Sequence, residues 1–451
     1  MLLEKAETDW LGSKPVFYND STNKVSYKMD EVIDFNHLEF NPEGLRNYLR
    51  FGYCVLGLTP FEHVRFLRYS SRIWHDESGK ICIEEYEDPV KDKIDKKSDC
   101  NDVIAGLKDC VNNWEMSHNK IVLPLSGGYD SKLLLSLISN KDKVYAYSYG
   151  YSKKQIDSFE VIRAKKVAEL YGVKWEHVQL KDFLKFIPDW NDQYGSSMHA
   201  HGMYQMDFYN EIDRRIGHED TCVLSGIIGD AWAGNVRLAE INNSEELDKL
   251  SYSHGMDIHS DICLLPETND IAESFWNEHK YELENENWRI VYAMRLKIML
   301  LRYLLETPIQ IGFDAWSPFL DLQNAMSMLT IPWSQKGDRK WQKEYFEHEN
   351  IEYGWLKREC DYNMIINESA MRLTRLEPLN TELLSKIVKR EFVESINREL
   401  VCKPMQSFSA KPRTIPNVIN KAIKKYNSSK ISALYSYEIL YPLQKVMEKS
   451  F

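Results

Sequence analysis

The feature that most constrains the fold is a six-residue loop with two adjacent glycines, placed between an apolar strand and an apolar helix. Residues 121–125, Ile-Val-Leu-Pro-Leu, have the pattern of a buried strand, and residues 132–138 begin a leucine-rich helix. Residues 126–131 between them read Ser-Gly-Gly-Tyr-Asp-Ser. The glycines allow a sharp turn in which backbone N–H groups approach an anion, and the helix start adds a positive partial charge. This stretch therefore predicts a strand, an anion-binding turn and a helix in direct succession.

The side chains of this loop predict a pyrophosphate site with a bound divalent cation. The hydroxyls of Ser126 and Ser131 can donate hydrogen bonds to phosphate oxygens. The carboxylate of Asp130 would repel a phosphate unless Mg²⁺ lies between the two groups. A tight turn without a ligand is the alternative interpretation, but the full Ser-Gly-Gly-x-Asp-Ser combination after a strand favours ATP. The Gly-x-x-x-x-Gly-Lys-Ser/Thr sequence of a Walker loop does not occur in the chain.

Strand-like and helix-like segments alternate through the middle of the chain. This alternation predicts a parallel α/β sheet with helices on both faces. Ligands of such sheets bind at the carboxyl ends of the strands, where Ser126 and Gly226 both fall. The predicted strands lie at 121–125, 144–148, 174–180 and 222–225, and the predicted helices at 131–139 and 156–171.

Three parts are expected along the chain. They are residues 1–98, with short β-like runs at 15–18, 24–28 and 81–86 around a helix at 42–51; residues 99–350, the ATP-binding domain; and residues 351–451, a helical extension. The segment 88–99 is rich in lysine and aspartate and is expected to be an exposed linker.

Composition excludes several classes of protein. A net charge of −11 argues against nucleic acid as the main partner. The eight cysteines form no C-x-x-C pair, which favours reduced thiols in the cytoplasm over a zinc or redox site. The start of the chain is too polar for a signal peptide. The most apolar helix, at about 291–305, is interrupted by Arg295, Lys297 and Arg302, so it belongs in a core and not in a membrane.

Two further segments extend the candidate site. Residues 224–230, Leu-Ser-Gly-Ile-Ile-Gly-Asp, repeat the order of strand, glycines and carboxylate, so Asp130 and Asp230 are candidate ligands of one Mg²⁺. Residues 316–321 read Trp-Ser-Pro-Phe-Leu-Asp, and a basic run follows at 336–343. Cations in that run could reach phosphates or a developing oxyanion, or they could form a solvated helix face, and spacing alone leaves both open.

The first loop resembles the signature of the ATP-pyrophosphatase (PP-loop) superfamily, which implies an adenine nucleotide alpha hydrolase-like fold and cleavage of ATP to AMP. The three segments in this order resemble the synthetase domain of the asparagine synthetase family over roughly residues 100–350. Residues 9–18 resemble the closing strand of that family's glutaminase domain, which implies that residues 1–98 hold only a truncated remnant of it. The family's nucleophilic cysteine follows the initiator methionine, whereas Leu2 stands here and the first cysteine is Cys54, so glutamine hydrolysis is not expected.

The resemblance implies that a substrate carboxylate attacks the α-phosphate of ATP. Ammonia, free or from a separate glutaminase, or an amine then attacks the resulting acyl-adenylate. The resemblance also implies a role for each candidate residue. Asp130 and Asp230 would hold Mg²⁺; Ser126, Gly127, Gly128, Ser131 and Gly226 would line the pyrophosphate; Leu125, Ser148 and Tyr149 would flank adenosine; and Lys340, with Lys343 in reserve, would stabilise charge in the transition states.

Two departures from the family bear on the substrate. Ile227 stands where asparagine-forming members have a glutamate, and Ala231 replaces an acidic residue. The first change removes a candidate proton acceptor, so asparagine itself is not the expected product. With tyrosine in the first loop, the chain resembles family members associated with surface-polysaccharide and specialised-metabolite synthesis, which implies a sugar acid or similar metabolite as the acceptor. A lactam- or peptide-forming ligase and a non-catalytic nucleotide-binding partner are the alternatives, and His199 with His201 are expected to be structural or substrate contacts.

Overall fold

A five-stranded parallel sheet forms the centre of the chain. The computed structural model describes residues 2–251, 258–348, 364–402 and 417–450. Its strands are β1 (Lys5–Glu7), β2 (Phe17–Asn19), β3 (Lys24–Ser26), β4 (Val64–Phe66), β5 (Ser71–His75), β6 (Ile81–Glu85), β7 (Lys120–Pro124), β8 (Val144–Ser148), β9 (Lys174–His177), β10 (Thr221–Leu224) and β11 (Asp314–Trp316).

The helices fall before, between and after these strands, with short 3₁₀ turns connecting them. They are α1 (Pro42–Phe51), α2 (Cys100–Glu115), α3 (Tyr129–Leu137), α4 (Phe159–Tyr171), α5 (Ile187–Tyr194), α6 (Tyr204–Ile216), α7 (Gly229–Trp232), α8 (Asp270–His279), α9 (Glu286–Leu301), α10 (Tyr303–Ile311), α11 (Leu322–Leu329), α12 (Trp333–Lys336), α13 (Lys340–His348), α14 (Ile366–Ala370), α15 (Thr381–Leu384), α16 (Arg390–Asn397) and α17 (Asn417–Ser450).

The strand order of the sheet is β11-β10-β7-β8-β9, and every neighbouring pair is parallel. The chain runs outward from β7 to β9 and then returns to place β10 on the other side of β7. This reversal opens a crevice at the carboxyl ends of β7 and β10, which is where open α/β sheets bind ligands. The predicted parallel sheet is confirmed, and the two glycine loops follow these two adjacent strands.

The central strands are buried on both faces, as a parallel sheet covered by helices requires. All four residues of β10 are buried, and so are the middle three of β7. The predicted helical C-terminal region is present as α14 to α17, and the last of these helices packs against the N-terminal part of the chain. None of the helices within the described ranges is long and apolar enough to cross a membrane.

The N-terminal part contains two three-stranded antiparallel sheets, β1-β5-β6 and β3-β2-β4. The predicted helix at 42–51 is confirmed at both ends because its local signals are strong. Asn41 accepts a hydrogen bond from the Gly44 N–H at 2.7 Å, and Pro42 occupies the first helical position. Gly52 ends the helix at φ +77°, a conformation that glycine adopts without strain.

The segment 88–99 is anchored and not a free linker. Arg295 binds both carboxylate oxygens of Asp88, at 2.7 and 2.8 Å, and the side chains of Val90 and Ile94 are buried. This pair also explains why an arginine lies within the apolar helix α9, where it is paired and not solvated. Charge pattern alone missed these anchors because the lysines between them remain largely exposed.

Candidate functional site

The first glycine loop is closed by its own serines. The backbone N–H of Ser126 donates to Ser131 Oγ at 3.0 Å, the two hydroxyl oxygens lie 3.0 Å apart, and the Gly128 N–H donates to Ser126 Oγ at 3.2 Å. Helix α3 begins at Tyr129, two residues earlier than the sequence predicted, so Asp130 lies in its first turn. Ser126 and Gly128 are exposed and available to an incoming phosphate.

Gly127 is required by close packing. A Cβ atom at this position would lie 2.9 Å from Arg163 Cβ and 3.2 Å from Glu160 Cα, both on helix α4. Real Cβ atoms rarely approach so closely, so a larger residue would push the loop off α4. The packing therefore requires a glycine here, and the role of Gly127 toward phosphate stays a prediction.

The second glycine loop packs directly against Asp130. A Cβ on Gly229 would lie 2.7 Å from the Phe319 ring and 3.1 Å from Asp130 Cγ, and a Cβ on Gly226 would lie 3.5 Å from Asp130 Cβ. Between them Ile228 adopts φ +53°, a strained conformation for a β-branched residue. The loops after β7 and β10 thus pack against each other, and their joint binding of one ligand stays a prediction.

A single guanidinium joins the two predicted metal ligands. Arg339 Nη1 lies 3.7 Å from Asp130 Oδ2, and its Nη2 lies 3.9 Å from Asp230 Oδ2. The side chains of Arg339 and Asp130 are 13% and 18% exposed, whereas that of Asp230 is 45% exposed. The two carboxylates therefore converge on one cation at the crevice of the sheet.

Burial raises the pKa of Asp130 to about 7, Arg339 opposes this rise, and the negative charge of Asp230 adds to it. Asp130 Oδ1 is buried and has no hydrogen-bond partner within the described residues. Two carboxylates and phosphate oxygens are a donor set that suits Mg²⁺, which usually takes one or two protein carboxylates plus phosphate. The residues fit the cation, which would neutralise charge between the carboxylates and the phosphates.

The residues of the basic run at 336–343 differ in their surroundings, since Arg339 contacts both aspartates and two of the lysines are exposed to solvent. Lys340 is 57% exposed, and its Nζ lies 3.6 Å from Glu344, while Lys343 is exposed. Arg339 was not singled out from the sequence. Its position depends on left-handed backbone at Asp338 and Arg339, with φ of +54° and +56°, which no local sequence signal indicated.

Two more residues near the aspartates were also missed. Gln342, one turn after Arg339, lowers the pKa of Asp130 through a side-chain interaction. Lys297 on α9 is close enough to Asp230 for the carboxylate to raise its pKa, although burial lowers that pKa by more. Lys297 is a charged residue within an apolar helix, and this position was the sequence signal that could have identified it as a candidate site residue.

Lys132 ties the first loop's helix to α13. It is fully buried, and its Nζ lies 3.2 Å from the centre of the Phe346 ring. Burial and, to a lesser degree, the charge of Arg163 lower the pKa of Lys132 to about 6. The amine is therefore mostly neutral at pH 7, and its contact with Phe346 is a packing contact there more than a cation–π interaction.

The residues proposed to flank adenosine lie together at the ends of β7 and β8. Ser148 Oγ donates to the Leu125 carbonyl at 2.6 Å and accepts from Trp175 Nε1 at 2.9 Å, so it links neighbouring strands. The Tyr149 hydroxyl accepts from Gln205 Nε2 at 2.9 Å. These contacts hold the strand ends in place, and the role of the residues toward a nucleoside stays a prediction.

The three motif segments interlock through tryptophan side chains. Trp232 Nε1 donates to the Phe319 carbonyl at 3.0 Å, and Trp341 Nε1 donates to the Ala233 carbonyl at 3.1 Å. Trp10, from the N-terminal part, donates to the Leu320 carbonyl at 2.9 Å. The site is therefore built by segments distant in sequence, and the N-terminal residues contribute to its support.

Several other candidates are buried. Ile227 and Ala231 are 3% and 1% exposed, so an acidic residue at either position would be buried beside Asp130 or Asp230. His199 is fully buried, and its backbone N–H donates to the Gly52 carbonyl. Within the described ranges no three or more His, Cys, Asp or Glu side chains are grouped to hold a metal. A cation at Asp130 and Asp230 would thus need the nucleotide as a further ligand.

The family model for asparagine synthase matches residues 102–348, more than half of the chain. The chain belongs to the asparagine synthase family. The match contains both glycine loops, both aspartates and the whole basic run. It confirms the predicted resemblance of this region to a synthetase domain, and it supports an ATP-dependent, amide-forming ligase. Among curated proteins no match to the chain is found.

Solved structures that are similar to the chain include two NAD synthetases. The NH3-dependent NAD synthetase from Campylobacter jejuni is 16% identical, with 56% of this chain and 98% of that chain covered and a TM-score of 0.23. The glutamine-dependent NAD+ synthetase from Acinetobacter baumannii, in complex with ADP, is 14% identical, with 68% of this chain and 56% of that chain covered and a TM-score of 0.22. Neither likeness is close enough to carry an argument about this chain.

Proposed function

We propose that this member of the asparagine synthase family is an AMP-forming ligase that makes an amide from a carboxylate and ammonia or an amine. The observation that carries the proposal is the convergence of Asp130 and Asp230, from loops after adjacent parallel strands, on the guanidinium of Arg339. Carboxylates for a divalent cation, loop serines at the start of a helix and a cation at the same sheet edge suit a reaction that separates phosphates.

The reaction proceeds in two displacements. A carboxylate oxygen attacks the α-phosphorus of ATP, and the bond to the bridging oxygen of pyrophosphate breaks. The nitrogen of ammonia or an amine then attacks the acyl carbon, loses a proton, and AMP leaves with the former carboxylate oxygen. In this proposal Ser126, Gly128 and Ser131 hold the pyrophosphate, Asp130 and Asp230 hold Mg²⁺, and Arg339 stabilises negative charge as it develops.

The nitrogen source and the acceptor complete the proposal. In this proposal the nitrogen is ammonia, free in solution or supplied by a separate glutaminase, or an amine. The tyrosine-containing first loop favours a sugar acid as acceptor, and a peptide- or lactam-forming ligase is the second candidate within enzymes. A nucleotide-binding partner without activity is the candidate from a different class, and the buried Ile227 in place of glutamate is the observation that favours it.

Incubation of the protein with ATP, Mg²⁺, ammonium and a panel of carboxylates tests the proposal. We expect AMP and pyrophosphate to appear only with an accepted carboxylate, and Asp130→Asn to abolish turnover. Asp109→Asn, at an exposed position on α2, is the matched control and should keep full activity. ADP as the product would contradict the proposal, and ATP binding without turnover across the panel would favour the non-catalytic partner.

A further inference from the structure

A cavity of about 360 Å³ lies beside the second glycine loop, on the same edge of the sheet as the two aspartates. Ile227, from the loop after β10, and Leu320, from the segment after β11, form its inner wall. Ile227 follows Gly226, on which a Cβ would lie 3.5 Å from Asp130 Cβ. The cavity therefore begins one residue away from the site proposed to activate a carboxylate.

The body of the cavity is apolar. Ile298 and Leu305, from helices α9 and α10, continue the wall formed by Ile227 and Leu320. Its charged pair, the buried Arg302 and the partly exposed Glu306, neutralise each other at 2.8 Å, and Arg302 Nη2 also donates to Ser197 Oγ. Gln193 and Gln310 also line the cavity, but these few polar groups would not replace all the hydrogen bonds to water that a ligand rich in hydroxyl groups loses here.

The outer end of the cavity carries positive charge from the N-terminal part of the chain. Lys14 and Lys28 are both exposed there. Lys14 Nζ lies 3.8 Å from the centre of the Tyr27 ring, and Lys28 Nζ lies 3.5 Å from the Asp192 carbonyl. Neither of these two contacts neutralises the ammonium charge. The Glu31 carboxylate also interacts electrostatically with Lys28, but two lysines against one carboxylate leave this end suited to an anionic group.

We propose that this cavity binds the acceptor, and that the acceptor is a small carboxylic acid with an apolar body and a second anionic group at its far end. The volume fits a small molecule and not a folded peptide segment. The reacting carboxylate would lie toward Ile227 and the distal anion toward Lys14 and Lys28. The inference rests on the proposed function for the identity of the reacting group, and it selects against the sugar acid that the first loop favoured.

Three matched acids test the proposal. Adipate has an apolar body and two carboxylates, hexanoate lacks the distal carboxylate, and glucuronate has a hydroxylated body. Binding is measured by calorimetry with Mg²⁺ and the non-hydrolysable α,β-methylene-ATP, and turnover by pyrophosphate release with ATP and ammonium. We expect adipate to bind about tenfold more tightly than hexanoate, as for a hydrogen-bonded charge, and glucuronate to bind most weakly.

Variants of the cavity separate its two ends. Lys14→Gln with Lys28→Gln should reduce adipate binding to the level of hexanoate and leave hexanoate unchanged, whereas Lys108→Gln, an exposed lysine on α2, should change neither. Ile309→Trp narrows the cavity at a residue that is 49% exposed, and it should weaken the binding of both adipate and hexanoate. Leu170→Trp, at an exposed position outside the cavity, is its control.

The outcomes distinguish this inference from the proposed function. Adipate binding that responds to the cavity variants, without pyrophosphate release, would support the cavity and contradict the ligase. If glucuronate is turned over, and at the same rate in Ile309→Trp as in the unchanged protein, the ligase would be supported and the cavity assignment overturned. Failure of all three acids to bind would likewise overturn it.

Discussion

Replacement of Arg339 by glutamine tests whether Arg339 or Lys340 is the side chain that stabilises negative charge near Asp130 and Asp230. The guanidinium lies 3.7 Å from Asp130 and 3.9 Å from Asp230. At an effective dielectric constant of about 20, a pair at this distance interacts by roughly 4 kcal/mol, and the exposure of Asp230 reduces its share. If Arg339 stabilises charge in the transition state, its loss should lower kcat by about 10²- to 10³-fold.

The assay is pyrophosphate release by Arg339→Gln, with Lys340→Gln as the matched control. Lys340 is 57% exposed and paired with Glu344, so its loss should change kcat by about twofold at most. Arg339→Lys keeps the positive charge but has one ammonium group in place of the two Nη groups that approach the aspartates, so it should recover part of the activity. Full activity of Arg339→Gln, or a large loss of activity in Lys340→Gln alone, would refute the reasoning. Either result would favour Lys340, the residue predicted from the sequence, as the stabilising cation.

Three further outcomes follow from the structure. Because burial raises the pKa of Asp130 to about 7, protons compete with Mg²⁺ below that value, so Mg²⁺ affinity measured by calorimetry with α,β-methylene-ATP present should rise more steeply from pH 6 to pH 8 than it does in Asp130→Asn. Gly229→Ala should lower stability by about 1–3 kcal/mol and impair turnover, since its Cβ meets Phe319 and Asp130; unchanged urea unfolding would contradict this. Arg295→Met should lower the free energy of unfolding by about 3–5 kcal/mol, because it leaves the carboxylate of Asp88 partly buried and unpaired. Adding Asp88→Asn to the same chain should recover part of that stability, as measured by thermal unfolding.

The sheet and the two loops were predictable because their signals are local. Apolar runs of strand length precede both glycine pairs, and the parallel order of the sheet then brings their carboxyl ends together. The ends of α1 were predictable for the same reason, since Asn41, Pro42 and Gly52 mark them. Such features depend on a few neighbouring residues and not on the rest of the fold.

The cation at the centre of the site was not predictable in this way. Arg339 and Lys340 are adjacent and chemically similar, and the choice between them depends on left-handed backbone at residues 338 and 339. The anchoring of the 88–99 segment by Arg295 depends on a contact across more than two hundred residues. The backbone conformation therefore decides the first of these features, and long-range packing decides the second.

The fate of carboxylate oxygen tests the central claim most directly. An accepted carboxylate labelled with ¹⁸O is converted with ATP, Mg²⁺ and ammonium, and the products are analysed by mass spectrometry. Attack on the α-phosphorus predicts that one ¹⁸O atom appears in AMP and none in pyrophosphate. Label in inorganic phosphate with ADP as the nucleotide product, or AMP without label, would contradict the account.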